Sequence, residues 1–324
     1  MLLSCWRLLQ RSLWPLVVAH GVTDTLVFLL HRLSHRATNE VAVRLLGGGL
    51  LTPAAIGNMW WLNTDPAIAN FKTGYQLLTF AFFLLAFPLN VAIKTWASCA
   101  TILLCRRAQQ QPGEAPWVGP APWWNVRRGL RQAFGTLRSI NGEVAALWRP
   151  VFIVELLVAA VVVPAQFASL AVITLPFTLP LIVELQAAGP AAALEGVRGT
   201  AAMERSRALL RGLRWQLAVP FVGLVVAGRL LEGAKATLLS NMPPRFYQEL
   251  VELPLLVLVG GTLLSILLAR MQDVLPMVAY SEGKQAEAVA AAQAGASQGA
   301  SNGASGKGSQ GASSGASGGD GGSK

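Results

Sequence analysis

The chain has three histidines, and one of them, His20, lies four residues before Asp24 inside an otherwise apolar run. Four residues is about one helical turn, so an imidazole and a carboxylate share one helix face. Such a pair can relay a proton, hold a counter-ion or bind a polar solute. Arg229 and Glu232, three apart in another apolar run, form a second candidate pair. Ionisable groups among apolar residues are costly to bury; they usually face a protein interior and mark polar pathways or ion pairs. Both uses stay open at this stage. His20 and Asp24 are titrating groups of a lane for a proton, ion or small solute, or Asp24 pairs with Arg229 or Lys94 and fixes helix register.

Covalent chemistry finds little support in the residues. The histidines lack the H-E-x-x-H spacing of a zinc hydrolase, and the serines lack a nucleophile-elbow context. The glycines at 47–49 are not followed by the lysine and helix that a phosphate loop requires. Cys5, Cys99 and Cys105 fit no usual zinc spacing and no paired disulfide framework. The sequence therefore reads as non-enzymatic, with no cofactor and no metal site. Cys105 stands before Arg106 and Arg107 at a span end, which makes it a candidate for S-palmitoylation.

The elements that carry these residues are membrane helices. Of the 324 residues 53% are hydrophobic and only 13% charged, with a net charge of +10. Soluble domains carry about twice that share of charged residues. Runs at 74–93, 156–183 and 253–269 contain no ionised residue, and a hydrocarbon core of about 30 Å needs roughly 17–25 residues of helix. The basic excess fits loops retained on the cytoplasmic side rather than nucleic-acid binding. Six spans are expected near 13–30, 74–93, 146–163, 167–185, 215–239 and 250–269. The fold class is all-α, a polytopic transmembrane bundle with cytosolic amphipathic surface helices, over a membrane domain at 1–283.

Charge sets the count. The segments at 106–149 and 187–214 are both strongly basic, so an even number of crossings separates them. That predicts a helical hairpin turning near Pro164, with Glu155 and Glu184 neutralised by Arg149 or Arg198. The stretch at 41–63, with Arg44 and three consecutive glycines, reads as re-entrant or interfacial, or else as a further span, with Trp60 and Trp61 at headgroup level. Residues 284–324 are dominated by Gly, Ala, Ser and Gln, with no aromatic residue, and are expected to be a disordered tail. A degenerate internal repeat joins "WRLLQRSLWPLVV" at 6–18 to "RALLRGLRWQLAV" at 207–219, with "LRSINGEVAALWRPVFIV" as a looser third copy.

Two segments read as surface helices. Over 123–140, Val126, Leu130, Ala133, Leu137 and Ile140 recur at helical spacing while Arg127, Arg128, Arg131 and Arg138 fall opposite. That helix lies on anionic headgroups through its arginines, or packs on the protein's own spans. Over 197–213, Gly199, Ala202, Met203, Ser206 and Leu209 share one small and apolar face. Small residues permit close helix approach, and serine can hydrogen-bond across the contact.

The pattern "LEGVRGTAAMERSRALLRG", carrying Glu195, Gly196, Gly199, Ala202, Met203, Ser206, Leu209 and Gly212, resembles a motif of land-plant six-span membrane proteins of unknown function. It is similar, more distantly, to the membrane domain attached to some bacterial glycerophosphodiester phosphodiesterases. The closing "DVLPMVAYSEGK" at 273–284 resembles the end of those domains. The resemblance implies a membrane fold and a lipid-related setting, and brings no catalytic residue. The expected protein is a membrane scaffold or organiser, with anionic lipids and other membrane proteins or itself as partners and no nucleic acid. The alternatives are a transporter or channel for a small solute, ion or proton, and a lipid-handling accessory. Both termini are expected in the cytosol, in a cell membrane or an organelle envelope.

Overall fold

The computed structural model describes residues 2–46, 66–110, 125–168, 174–241 and 252–305. All secondary structure among them is helical. The helices are α1 (Leu2–Leu46), α2 (Pro66–Gln110), α3 (Val126–Ala168), α4 (Leu175–Glu184), α5 (Ala188–Glu195), α6 (Thr200–Leu210), α7 (Arg214–Asn241) and α8 (Glu252–Ser305). Six segments are long and apolar enough to cross a membrane: Leu2–Ala42, Thr73–Gln110, Val126–Gln166, Pro176–Glu195, Arg214–Thr237 and Val259–Ala294. The protein is thus an all-α, multi-pass integral membrane protein.

Several helices far exceed the bilayer. The 45 residues of α1 extend about 68 Å at 1.5 Å per residue, so the basic segments expected as loops are helical extensions instead. The basic stretch "HRLSHR" at 31–36 and the start of the 41–63 segment belong to α1, which ends at Leu46. The remainder of that segment, with Trp60 and Trp61, lies outside the described residues.

The helix expected at 123–140 is no separate surface element. It continues without a break into the third span as α3, because no proline interrupts the helical pattern between the arginine-rich part and Pro150. Its stripe turns inward: Ala133, Leu137, Ile140 and Val144 are buried, while Val126 and Phe134 stay exposed. A Cβ added at Gly129 would lie 2.5 Å from the Trp14 ring, so this glycine lets α3 approach α1 closely. The hairpin expected to turn near Pro164 has no turn there, since α3 runs through that proline to Ala168. Neighbouring helices and local adjustments tolerate proline inside membrane helices.

The fourth span is split. α4 ends at Glu184, residues 185–187 form a turn, and α5 resumes at Ala188. α5 is short and built of small residues, with Ala188, Gly189, Pro190, Ala191, Ala192 and Ala193 all buried. It packs against α2, α3 and α6.

The compact unit spans Met1–Tyr280, and Ser281–Lys324 form a second unit. Helix α8 continues to Ser305, so the tail expected to lose structure from 284 is helical for some twenty residues more. The cause is local: the run "AEAVAAAQA" is rich in alanine, the strongest helix former. Residues 306–324 lie outside the described residues.

Candidate functional site: a polar cavity among the spans

Five helices converge on one polar region. From α1, His20 sends Nε2 to within 2.9 Å of Thr101 Oγ1 on α2, and Nδ1 to within 3.3 Å of Asp273 Oδ2 on α8. The imidazole is buried and so bridges two helices. One turn along α1, Asp24 accepts a 2.8 Å hydrogen bond from Arg270 Nη2. Arg270 lies three residues before Asp273 on α8, and its Nη1 is 2.9 Å from Asp273 Oδ2. Asp273 Oδ2 thus has both the guanidinium and the His20 ring within ion-pair distance. The result is a charge ladder, Thr101–His20–Asp273–Arg270–Asp24, buried at His20 and Arg270 and open at Asp24, tying α1, α2 and α8 together.

Beside the ladder lies a cavity of about 440 Å³. His20 and Asp273 form one wall. Glu155 of α3 forms another, where its Oε2 lies 2.7 Å from the Thr95 hydroxyl of α2 and where Ser98 also hydrogen-bonds to it. Lys94, Gln166, Gln186 and Gln272 add polar groups, while Val91, Ile102, Val158, Val162 and Met277 supply apolar surface. The break in the fourth span opens onto this space through Leu185, Gln186, Gly189 and Pro190. A Cβ on Gly189 would stand 3.6 Å from Glu155 Oε1, so the first turn of α5 rests directly against the carboxyl group. Interrupted helices at membrane depth are tolerated where they are enclosed by protein or line a cavity, and they commonly build solute sites.

No protein-family model matches the sequence, and no curated protein or solved structure is similar to it.

Of the four intramembrane candidates, His20 and Asp24 belong to the cavity and its ladder, and Arg229 and Glu232 do not. Asp24 pairs with Arg270, not with Arg229 or Lys94. Arg229 is exposed on α7, and Glu232 pairs with Lys235 one turn on at 2.7 Å. Glu155 takes hydroxyl partners rather than Arg149, and Glu184 faces Arg214 at 3.6 Å rather than Arg198.

The segment at 197–213 is not one helix. Gly196 caps α5 at φ +70°, and Gly199 precedes α6 at φ +58°. Only glycine adopts such backbone without strain. Within α6 the expected face does pack inward: Ala202, Met203, Ser206, Leu209 and Leu210 are buried. Ser206 Oγ donates to the Glu184 carbonyl at 2.5 Å, tying α6 to the end of α4. Glu195 accepts from Arg205 Nε at 2.8 Å and from the Tyr280 hydroxyl at 2.9 Å. Gly212 is exposed and takes no part in the contact.

Arg127, Arg128, Arg131 and Arg138 are all exposed. Cys105 is not available for acylation in this fold. It is fully buried among the core residues with Cys5, because the end of α2 is covered by α1 and α3 rather than open to the bilayer.

Sequence reasoning missed Arg270, Asp273 and Gln272 as site residues. They fall just after the uncharged run at 253–269, where the apolar pattern ends. The i,i+3 spacing of Arg270 and Asp273 was the available signal, since an internally paired charge lowers the cost of staying inside a span.

Proposed function

We propose that the protein carries a small polar solute across the membrane, with the cavity between α1, α2, α3, α5 and α8 as its binding site. The observation that supports this reading is the position of the cavity. It lies among spans, is lined by His20, Glu155 and Asp273, and is opened by the interruption of the fourth span. A purely structural ion pair needs no adjoining space for a solute. The reading assigns no covalent reaction to the chain. By the basic character of 106–149 and 187–214, both termini stand on the cytosolic side.

A second reading, a membrane scaffold, draws on the exposed row Arg127, Arg128, Arg131 and Arg138, which can bind anionic headgroups and partner proteins. The two readings are compatible in one molecule, but only the first uses the cavity.

Cysteine accessibility in intact membranes tests the choice. Cys5, Cys99 and Cys105 are replaced by alanine, and single cysteines are placed at the lining positions Ala159, Gln186 and Gln272. A membrane-impermeant thiol reagent is expected to label them, as it labels a control at Arg131. Protection of all three lining positions beside a labelled control removes the solute reading and leaves the scaffold.

A further inference from the structure

We infer that the cavity takes a small protonated aliphatic amine, with Glu155 as its counter-ion, in exchange for a proton that Glu155 holds when the cavity is empty. The inference deepens the solute reading above and rests on it for the physiological role.

Charge balance carries the first step. The ionisable groups at the cavity and its ladder are His20 and Asp24 from α1, Lys94 from α2, Glu155 from α3, and Arg270 and Asp273 from α8. The part of α5 at the cavity, Gly189 and Pro190, brings no ionisable side chain. Arg270 is spent on Asp24 and Asp273, and Lys94 lies near those same two carboxylates. Among the described residues no cation stands within ion-pair distance of Glu155. Asp273 has both Arg270 and His20 beside it, and Asp24 has Arg270 and is half open, so Glu155 is the carboxylate of the cavity wall left without a counter-charge. A half-buried carboxylate among apolar spans without a counter-charge is costly, so it takes a proton or a ligand cation.

The hydrogen bonds at Glu155 accommodate either. Thr95 has one hydroxyl proton and two acceptors, Val91 O at 2.8 Å and Glu155 Oε2 at 2.7 Å. When Glu155 carries the proton, the carboxyl donates to Thr95 Oγ1 and Thr95 donates to Val91. When Glu155 is ionised, Thr95 turns its proton to the carboxylate, and the first turn of α5 adds the positive end of its dipole. Exchange of proton for ammonium therefore needs no rearrangement of the backbone and leaves the site's charge unchanged.

Size and lining choose the ligand. About 440 Å³ exceeds what a bare inorganic cation fills. Val158, Ala159, Val162 and Met277 offer an apolar wall for a short carbon skeleton. Among the described lining residues there is no Phe, Tyr or Trp, whereas quaternary ammonium recognition relies on the faces of those rings. A protonated amine with N–H donors is the cation that fits.

The test uses the purified full chain in lipid nanodiscs and isobutylammonium as probe, with tetramethylammonium and sodium for comparison. Calorimetry in weak buffer with a pH dye should show isobutylammonium binding and release of about one proton per amine, with affinity rising up to about tenfold per pH unit where Glu155 is protonated. Tetramethylammonium and sodium should bind at least about tenfold more weakly, and Glu155→Gln should abolish both binding and proton release. Ala159→Phe, which fills the cavity and spares the carboxyl, should lose binding while keeping the wild-type melting profile; it serves should Glu155→Gln not fold. Absence of binding, binding without proton release, equal binding of sodium, or binding unaffected by Glu155→Gln each overturns the assignment. If the lining cysteines label but the amine does not bind, the ammonium falls and the solute cavity stands; if neither occurs, both fall.

Discussion

Arg270 is the residue on which the charge ladder turns. Its guanidinium is 7% exposed and faces Asp24 and Asp273. Removing one member of a buried ionic network leaves the others uncompensated, at a cost of about 3–5 kcal/mol. Arg270→Met is therefore expected to destabilise the protein by that order in reversible detergent denaturation, and adding Asp273→Asn should restore part of the loss. Asp24→Asn alone should cost less, because Asp24 is half open. Ser206 gives a milder case: Ser206→Ala removes the donor to the Glu184 carbonyl and is expected to cost about 1 kcal/mol in the same assay. His20 and Asp24 were visible in the sequence as charges among apolar residues. Their partners were not, because pairing joins residues some 250 positions apart, and no spacing rule reaches across helices. Glu155 was visible too, yet the sequence offered arginines for it where the fold supplies hydroxyls. Basic residues at a span's end are abundant in sequence, but a helix presents them outward, as it does Arg149.

At the scale of elements, the six spans were legible because uncharged runs of sufficient length have few other uses. Their ends were not, since charged helices continue into water and the change from lipid to water leaves helix hydrogen bonding intact. The split between α5 and α6 shows the other limit. Projected as one helix, 197–213 has a coherent face, and the residues of that face from Ala202 to Leu210 do pack inward. What the projection lacks is the pair of positive φ angles at Gly196 and Gly199. Gly199, at φ +58° and ψ −134°, occupies a region open essentially to glycine alone. Gly199→Ala is expected to cost about 1–3 kcal/mol, whereas Gly212→Ala, in open space without positive φ, should be nearly neutral. Equal losses at the two positions in thermal denaturation would mean that Gly199 holds no special backbone role.

At the scale of the whole molecule, the first three helices meet at one end of the bundle. Arg11 of α1 donates to the Ala108 carbonyl near the end of α2 at 3.2 Å, and Trp14 meets Gly129 near the start of α3. α1 and α2 therefore run antiparallel, with the start of α3 at the same end. The ladder begins nine residues further along α1, about 14 Å deeper by helical rise, which puts His20 well below the basic rim. If each of the six apolar segments spans once, the number of crossings is even, and both termini are expected on one face of the membrane. Tags at the two termini of the intact protein, probed by protease in sealed vesicles, are expected to be cleaved together or protected together. Cleavage of one and protection of the other would require an odd number of crossings. The split fourth span would then be the first segment to re-examine, because α4 and α5 are the shortest pieces of any span, and a pair that enters and leaves on one side would line the cavity without crossing.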